Sequence, residues 1–588
     1  MAPPSSIPPN IAFNSRRSVV FSTKGMVSAS QPFAVQCGLE VLKKGGNAAD
    51  AAVATAAAIN LTEPCSCGIG GDVFCLFWDA KSKTMKALNG SGRSPAALTL
   101  SKARELGIKG HSIHLTNINS VTVPGSAAAW VDTVEMFGSG KLTLKEILLP
   151  AIELAEGGVP ISELTSDSWK RSAKRLLEAS PNGPEMLVND ESIPLRYRGP
   201  NAGELWRNEN LAQTFREVAE KGKSGFYKGR VAESLVDVVQ SQGGVMTLED
   251  LASHTSTPTK PISYKYLSTP VSSGSPVTLH EHAPNGQGLT ALIALGILDQ
   301  LCLMKKVPWN KDSLQTTHNS VEWLHALIES MRFAFADTRY YVADPEKYPV
   351  PVKELLSTEY LKSRAELFDP TKAKADVTTG SPVISSDTVY FTTSDADGNA
   401  CSFIMSNYAG FGNGAIPRGC GFTLQNRGSN FVLEEGHPNC LDGGKRPYHT
   451  IIPAMATRDD DLFMAYGVMG GFMRVDFRFL LNMLHFGMNP QAALDAPRFC
   501  ISAGMPEDDS GSMGSIVNSE VFLEEGIDPK VASMLKDMGH DVELVSGYGR
   551  GQFGRGQIIQ KLVDAKTGKL VWAAGSDPRA DGAAVAQF

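Results

Sequence analysis

Apolar positions recur with helical spacing over residues 31–44, and the pattern stops at Gly45-Gly46, as helices often do. Asn47 is placed to cap a second helix that is mostly alanine, and side chains that small let a helix approach its neighbour closely. After the glycine turn in "CSCGIGGDVFCLFWD", residues 73–78 are continuously apolar and read as a buried strand, with 83–88 as its hairpin partner. A turn at Asn89-Gly90-Ser91-Gly92 then delivers Arg93. From 124 to about 341 helical periodicity dominates: "LTLKEILLPAIELAEGG" and "RVAESLVDVVQSQGG" end in glycine pairs, and "NSVEWLHALIESMRFAFADTRYY" is a long amphipathic helix. Residues 362–386 are polar, carry Asp369-Pro370 and Gly380-Ser381-Pro382, and have linker composition. Beyond them strands are expected at 389–394, 400–406, 422–425 and 462–468, helices at 476–486 and 529–538, and final strands at 542–545, 557–563 and 570–574. Sheets formed from the N-terminal hairpin and the strand-rich end, covered by helices from both halves, predict one layered α/β body rather than two independent domains.

Composition narrows the function classes. Of the 588 residues, 42% are hydrophobic and 20% charged, which is ordinary for a globular chain and indicates neither disorder nor a membrane class. A net charge of −7 gives no reason to expect nucleic acid or an anionic membrane surface as partner. The first 24 residues, rich in Pro and Ser, read as a loose tail without the apolar core of a signal peptide, and no apolar run reaches 18 residues. The expectation is a cytoplasmic protein with no membrane partner; the oligomeric state is not legible. The nine cysteines are odd in number, and Cys65-Ser66-Cys67 lacks a second pair or a nearby histidine, so reduced, packed thiols are expected and no metal site.

Several motifs fail on context. Gly549 to Gly554 matches GxGxxG but is followed by the β-like "RGQIIQKLV" where a dinucleotide fingerprint needs a helix. His280-Glu281-His282 lacks the spacing of a metalloprotease site. More informative is "SSDTVYFTTSDADGNACSF", a strand carrying Thr388, Thr392, Thr393 and Ser394. On composition the commoner reading is a solvent-facing hydroxyl strand. The alternative is that a threonine becomes a chain terminus, where its own α-amine, with a pKa of about 7.7–8.0, takes the hydroxyl proton. That design needs a precursor cut just before the threonine, after the acid of Asp387-Thr388, and a flexible segment upstream.

From residue 25 to 582 the chain resembles the γ-glutamyltransferase family of N-terminal nucleophile hydrolases. The resemblance rests on ordered blocks that include "GMVSASQPFAVQCGLEVLKKGGNAADAAVATAAAINLTEP", "GIGGDVFCLFWDAKS", "HAPNGQGLTAL", "DTVYFTTSDADGNACSF", "GFGNGAIPRGCGFTLQNRGSNF", "KRPYHTIIPAM", "GVMGG" and "GSDPRADGAAV". It implies a four-layer αββα sandwich and self-cleavage at Asp387–Thr388. The large subunit would be 25–387, ending in the linker at about 362–387, and the small subunit 388–588, both in one body. It implies Thr388 as nucleophile, Gly470 and Gly471 as oxyanion donors, Ser406 supporting the nucleophile, and Arg93 gripping a substrate carboxylate, with no cofactor. The implied substrate is a γ-glutamyl amide such as glutathione, its acyl group passing to water or an amine.

The sequence departs from the family where the substrate's amine is read. Val389-Tyr390 follows the nucleophile in place of Thr-His. The positions that hold an Asn, a Gln or Glu, and an Asp around the α-amine carry Tyr408, Arg427 and Asn430, and a serine pair becomes His449-Thr450. Asn407 is the remaining amide beside Tyr408. An unpaired cation in a closed site is costly, so a pocket with Arg427 and no acid disfavours an ammonium and suits a glutaryl-like or other acyl group. A non-catalytic homologue serving as a binding body is the reading from another class.

Overall fold

The computed structural model describes residues 17–375, 387–469, 477–501 and 520–588. Two seven-stranded sheets lie at its centre. The first runs Ala583–Ala586, Met26–Ala29, Asp387–Ser394, Ala400–Tyr408, Asp72–Asp79, Thr84–Gly90 and Thr257–Thr259. The second runs Val20–Ser22, Leu570–Ser576, Arg555–Val563, Asp461–Met469, Ala454–Arg458, Val277–Glu281 and Ile262–Tyr266. All neighbouring strands in both are antiparallel.

The sheets face each other, with Asp387–Ser394 packed on Arg555–Val563 and Asp461–Met469. Helices Pro32–Lys43, Ala48–Thr62 and Ser126–Phe137 cover the outer face of the first sheet; Gly288–Leu303 and Pro490–Asp495 cover the second, and Val321–Tyr341 backs Gly288–Leu303. This is the four-layer αββα sandwich that was expected. Among the described residues no helix is long and apolar enough to cross a membrane.

Burial on both faces explains the continuous apolar run of Asp72–Asp79. Val389 and Phe391 point into the core beneath the helices, whereas Tyr390 sits between the sheets with Phe74, Ile404, Ile451 and Met469. The tyrosine ring is accommodated by Gly467 on the facing sheet, where a Cβ would lie 2.6 Å from the ring. Helix Ala48–Thr62 is buried along its whole length, and its alanines let it lie close to the strands. Asn47 and Asp50 form a reciprocal capping box at its start.

The hydroxyls of the central strand are buried rather than solvated. Thr392 Oγ1 donates to the Cys401 carbonyl at 2.9 Å, and Thr393 Oγ1 donates to the Ala48 carbonyl at 2.6 Å, tying the strand to the capped helix. A solvent-facing strand is therefore excluded.

Four local expectations need correction. Strands Ile262–Tyr266 and Val277–Glu281 interrupt the region read as helical, and they form one edge of the second sheet. Residues 422–425 are not a strand: Leu424 N–H bonds Ala415 and Gln425 N–H bonds Gly70, so their alternation records burial among loops. The linker composition begins too early, since Thr358–Glu366 is helical and Asp387 already lies in a strand; residues 376–386 are outside the described set. Strand Asp541–Val545 belongs to a separate three-stranded sheet, pairing in parallel with Glu520–Glu524.

Candidate active site

Strand register assembles the site. Thr388 pairs with Ser406, and Ser406 pairs on its other side with Asp72, so three polar residues form a row across adjacent strands. The ladder is regular from Ser394 to Thr388 and then shifts between Thr388 and Asp387, leaving Asn407 as an extra residue on the neighbouring strand. Such bulges re-aim side chains beside active sites. Tyr408, next along, holds φ at 76°, a left-handed conformation that aromatic residues seldom adopt.

Three donors converge on the Ser406 hydroxyl. Thr388 Oγ1 donates at 3.0 Å, the Tyr408 N–H at 2.8 Å, and Arg427 Nη2 at 2.7 Å. Arg427, in the short turn Arg427–Asn430, is wholly buried. Its Nη1 donates to Thr450 Oγ1 at 2.7 Å, its guanidinium lies 4.3 Å from the centre of the Tyr408 ring, and its N–H is held by the Gln425 side chain. Burial lowers its pKa to about 10, against the opposing pull of Asp72, so it stays charged at neutral pH.

Asp72 is equally buried. Its Oδ1 accepts the N–H groups of Gly92 at 2.9 Å and Gly125 at 3.2 Å, and its Oδ2 faces His449 Nε2 at 3.0 Å. The two glycines allow this close turn: a Cβ on Gly92 would fall 1.6 Å from the Val123 carbonyl, and one on Gly125 would fall 2.0 Å from that of Gly90. Burial pushes the Asp72 carboxyl up to about 6, with Arg427 and the two N–H donors holding it down. Burial, with Arg427 and His282 nearby, pushes His449 well below its usual range, so at neutral pH a neutral imidazole faces a carboxylate.

Of the residues expected from sequence, Thr388, Ser406, Tyr408, Arg427 and Thr450 form one network. His449 joins it through Asp72. Asn430 borders it: its amide donates to the Tyr448 carbonyl at 3.1 Å, and its side chain also interacts with the Tyr408 hydroxyl. Asn407 is held in the core, its amide 3.4 Å from both the Pro64 carbonyl and Thr423 Oγ1. Arg93 stands outside the network: its Nη2 pairs with Glu346 Oε2 at 2.8 Å and its Nη1 donates to the Thr255 carbonyl at 3.2 Å. Arg446 shares Glu346, at 2.9 Å. Gly470 and Gly471 lie outside the described residues. The residue missed from sequence is Asp72, and its signal was present: an acid opening an otherwise apolar strand directly after a glycine turn. Among the described residues no group of three or more His, Cys, Asp or Glu side chains is arranged to hold a metal ion.

A buried threonine hydroxyl at the end of a central strand, between facing sheets and beside a bulge, suits nucleophilic chemistry of the N-terminal nucleophile kind. Comparison with known proteins fits this class: residues 34–587 match the gamma-glutamyltranspeptidase family, and the chain belongs to it. It is 35% identical over 572 residues to the glutathione hydrolase-like YwrD proenzyme of Bacillus subtilis (strain 168), covering 96% of this chain and 99% of that one. It is 30% identical over 571 residues to the oxamate amidohydrolase proenzyme of Klebsiella pneumoniae subsp. pneumoniae, covering 96% and 98%. The crystal structure of cephalosporin acylase from Bacillus halodurans superposes with a TM-score of 0.82 at 37% identity, covering 100% of this chain and 99% of that one. The fold is that of the N-terminal nucleophile hydrolases.

Proposed function

We propose that the chain is a self-processing amidase whose substrates are amides of carboxylate-bearing acyl groups without an α-ammonium. Thr388 Oγ attacks the carbonyl carbon of Asp387. The C–N bond breaks, the freed nitrogen takes the proton, and water opens the resulting ester. This leaves Asp387 ending the large subunit and Thr388 beginning the small one. The new α-amine then accepts the Thr388 hydroxyl proton as Oγ attacks the substrate amide. The tetrahedral oxyanion needs preorganised donors, and the N–H groups of Gly470 and Gly471 are proposed for it; such a donor is worth about 2.7–4 kcal/mol in a comparable site. The acyl-enzyme passes to water or to an amine.

The observation that carries the substrate reading is the Arg427 guanidinium bound to the very hydroxyl that holds Thr388. A cation there attracts an anionic acyl group and repels an ammonium. The relatives named as cephalosporin acylase and oxamate amidohydrolase support an acyl group other than γ-glutamyl. A γ-glutamyl reading, with glutathione-like donors, is favoured by the family itself and by the glutathione hydrolase-like relative. Hydrolysis of glutaryl and γ-glutamyl anilides by the purified protein separates the two: the proposal expects the glutaryl compound to react at least about tenfold faster. A γ-glutamyl preference would refute it, and an uncut, inactive protein would favour a non-catalytic body.

A further inference from the structure

A second charged region lies apart from the Thr388 network. Four arginines, Arg478, Arg498, Arg550 and Arg579, cluster around two buried carboxylates, Glu524 and Asp577. Both acids are fully engaged. Glu524 Oε1 accepts Arg550 Nε and Arg579 Nε at 2.7 Å each, and its Oε2 accepts Arg579 Nη2 and, at 2.8 Å, the Arg498 N–H. Asp577 Oδ2 accepts Arg498 Nη2 and the Gly556 N–H, and its Oδ1 accepts the N–H and Nη1 of Arg579 at 2.9 and 3.1 Å. The half-buried Asp495 nearby is held by Gln491 Nε2 at 2.8 Å. Arg478 is the cation left over. It is only 9% exposed, its side chain makes no hydrogen bond or ion pair among the described residues, and its enclosed Nη1 has no acceptor. Its guanidinium lies 5.3 Å from the centre of the Phe499 ring. Burial, and then the Arg498 charge, lowers its pKa to about 9, so it stays charged at neutral pH.

Arg478 and Arg498 line one small cavity, about 20 Å³, whose other walls are apolar, chiefly Phe479, Phe499 and Phe553. Arg498 spends four N–H groups on the carbonyls of Phe553, Gly554 and Leu494 and on Asp577; the fifth, at Nε, is buried without a partner. Two guanidinium groups that repel each other thus share a cavity, each with an unused N–H. A buried cation without a counter-charge is costly, and an unsatisfied buried donor calls for a partner. The cavity has room for about one water-sized occupant. A water would leave the charge uncompensated, and a carboxylate or phosphate group is too large. A monatomic anion meets the volume, the charge and the weakly hydrated guanidinium donors together.

We infer that this cavity is a halide site, in which one chloride accepts from Arg478 and Arg498 and supplies the counter-charge that Arg478 lacks. The site joins the start of helix Phe477–Phe486 to strand Phe499–Ile501, and it does not depend on the identity of the nucleophile.

The test uses the full chain, with chloride replaced by gluconate at constant ionic strength and pH. The melting temperature is expected to rise by at least about 1 °C with chloride and to saturate, as binding to the folded state requires. Bromide is expected to do the same. Arg478→Met removes the charge, keeps an apolar side chain of similar reach, and is expected to abolish the halide response. The site is located directly by soaking wild-type crystals in bromide, with an anomalous peak expected between Arg478 and Arg498; this reading stands even if the variant fails to fold. No bromide peak in the cavity overturns the inference whatever the melting temperature does, and so does a halide response that survives unchanged in Arg478→Met.

Discussion

Replacing Ser406 by alanine removes the acceptor on which three donors converge. Thr388 Oγ1 at 3.0 Å, the Tyr408 N–H at 2.8 Å and Arg427 Nη2 at 2.7 Å all lose their shared partner in a buried site. The deleted oxygen is too small a void to admit a replacing water with two to four polar partners of its own. Leaving a buried donor unsatisfied costs roughly 1–3 kcal/mol, and more for a charged group. The Thr388 contact bears on the proposed reaction, because it fixes the hydroxyl proposed to attack the Asp387 carbonyl. If that one contact is lost from the transition state, about 1–3 kcal/mol corresponds to a 5- to 150-fold slower cleavage. The other two orphaned donors act on stability and together lower it by roughly 2–6 kcal/mol. The assay is a time course of the uncut fraction after expression, read by intact mass, with far-ultraviolet circular dichroism showing that the fold is kept. Ser406→Thr restores a hydroxyl and is expected to recover much of the rate. A Ser406→Ala protein that processes at the wild-type rate would refute this reasoning.

Other consequences follow from the same geometry. Asp72 is ionised above about pH 6 and neutral below it, and protonation removes a negative charge from beside Arg427. The KM for an anionic substrate is therefore expected to fall as pH drops from 7 to 5, and Asp72→Asn is expected to flatten that dependence; a step that survives the substitution would count against it. Gly467→Ala places a methyl 2.6 Å from the Tyr390 ring and is expected to destabilise by about 1–3 kcal/mol, seen as a lower melting temperature, whereas Gly551→Ala meets nothing within 4 Å. Arg579 pairs with both Glu524, and Asp577 at 3.1 Å, in a buried cluster. Arg579→Met leaves two carboxylates short of a partner and is expected to cost about 3–5 kcal/mol, measured by chemical denaturation.

The elements most legible in the sequence are those whose local signals agree with their tertiary role. The helix after Asn47 was marked by its cap and its alanines, and both matter in the structure: the cap through Asp50, the alanines through close packing on the central strands. The hairpin Asp72–Asp79 with Thr84–Gly90 was equally clear. Short edge strands such as Ile262–Tyr266 were hidden among helical patterns: it pairs only with the neighbouring Val277–Glu281, and that strand is anchored to the sheet by the distant Ala454–Arg458. The site divides in the same way. The hydroxyl strand and Arg427 were visible as positions. That Arg427 and Thr388 meet on Ser406 depends on a loop return of about twenty residues, and that His449 meets Asp72 depends on two segments 377 positions apart. No local pattern encodes either contact. Arg93 shows the converse: its position suggested a carboxylate ligand, and the structure supplies one from the chain itself, Glu346.

The central claim is that Thr388 becomes a chain terminus and acts as the nucleophile. Its most direct test is the intact mass of the purified protein beside a Thr388→Ala control. The account predicts two fragments in the wild-type protein, divided between Asp387 and Thr388, and one unbroken chain in the control. One unbroken chain in both, or a break at another bond, would contradict it.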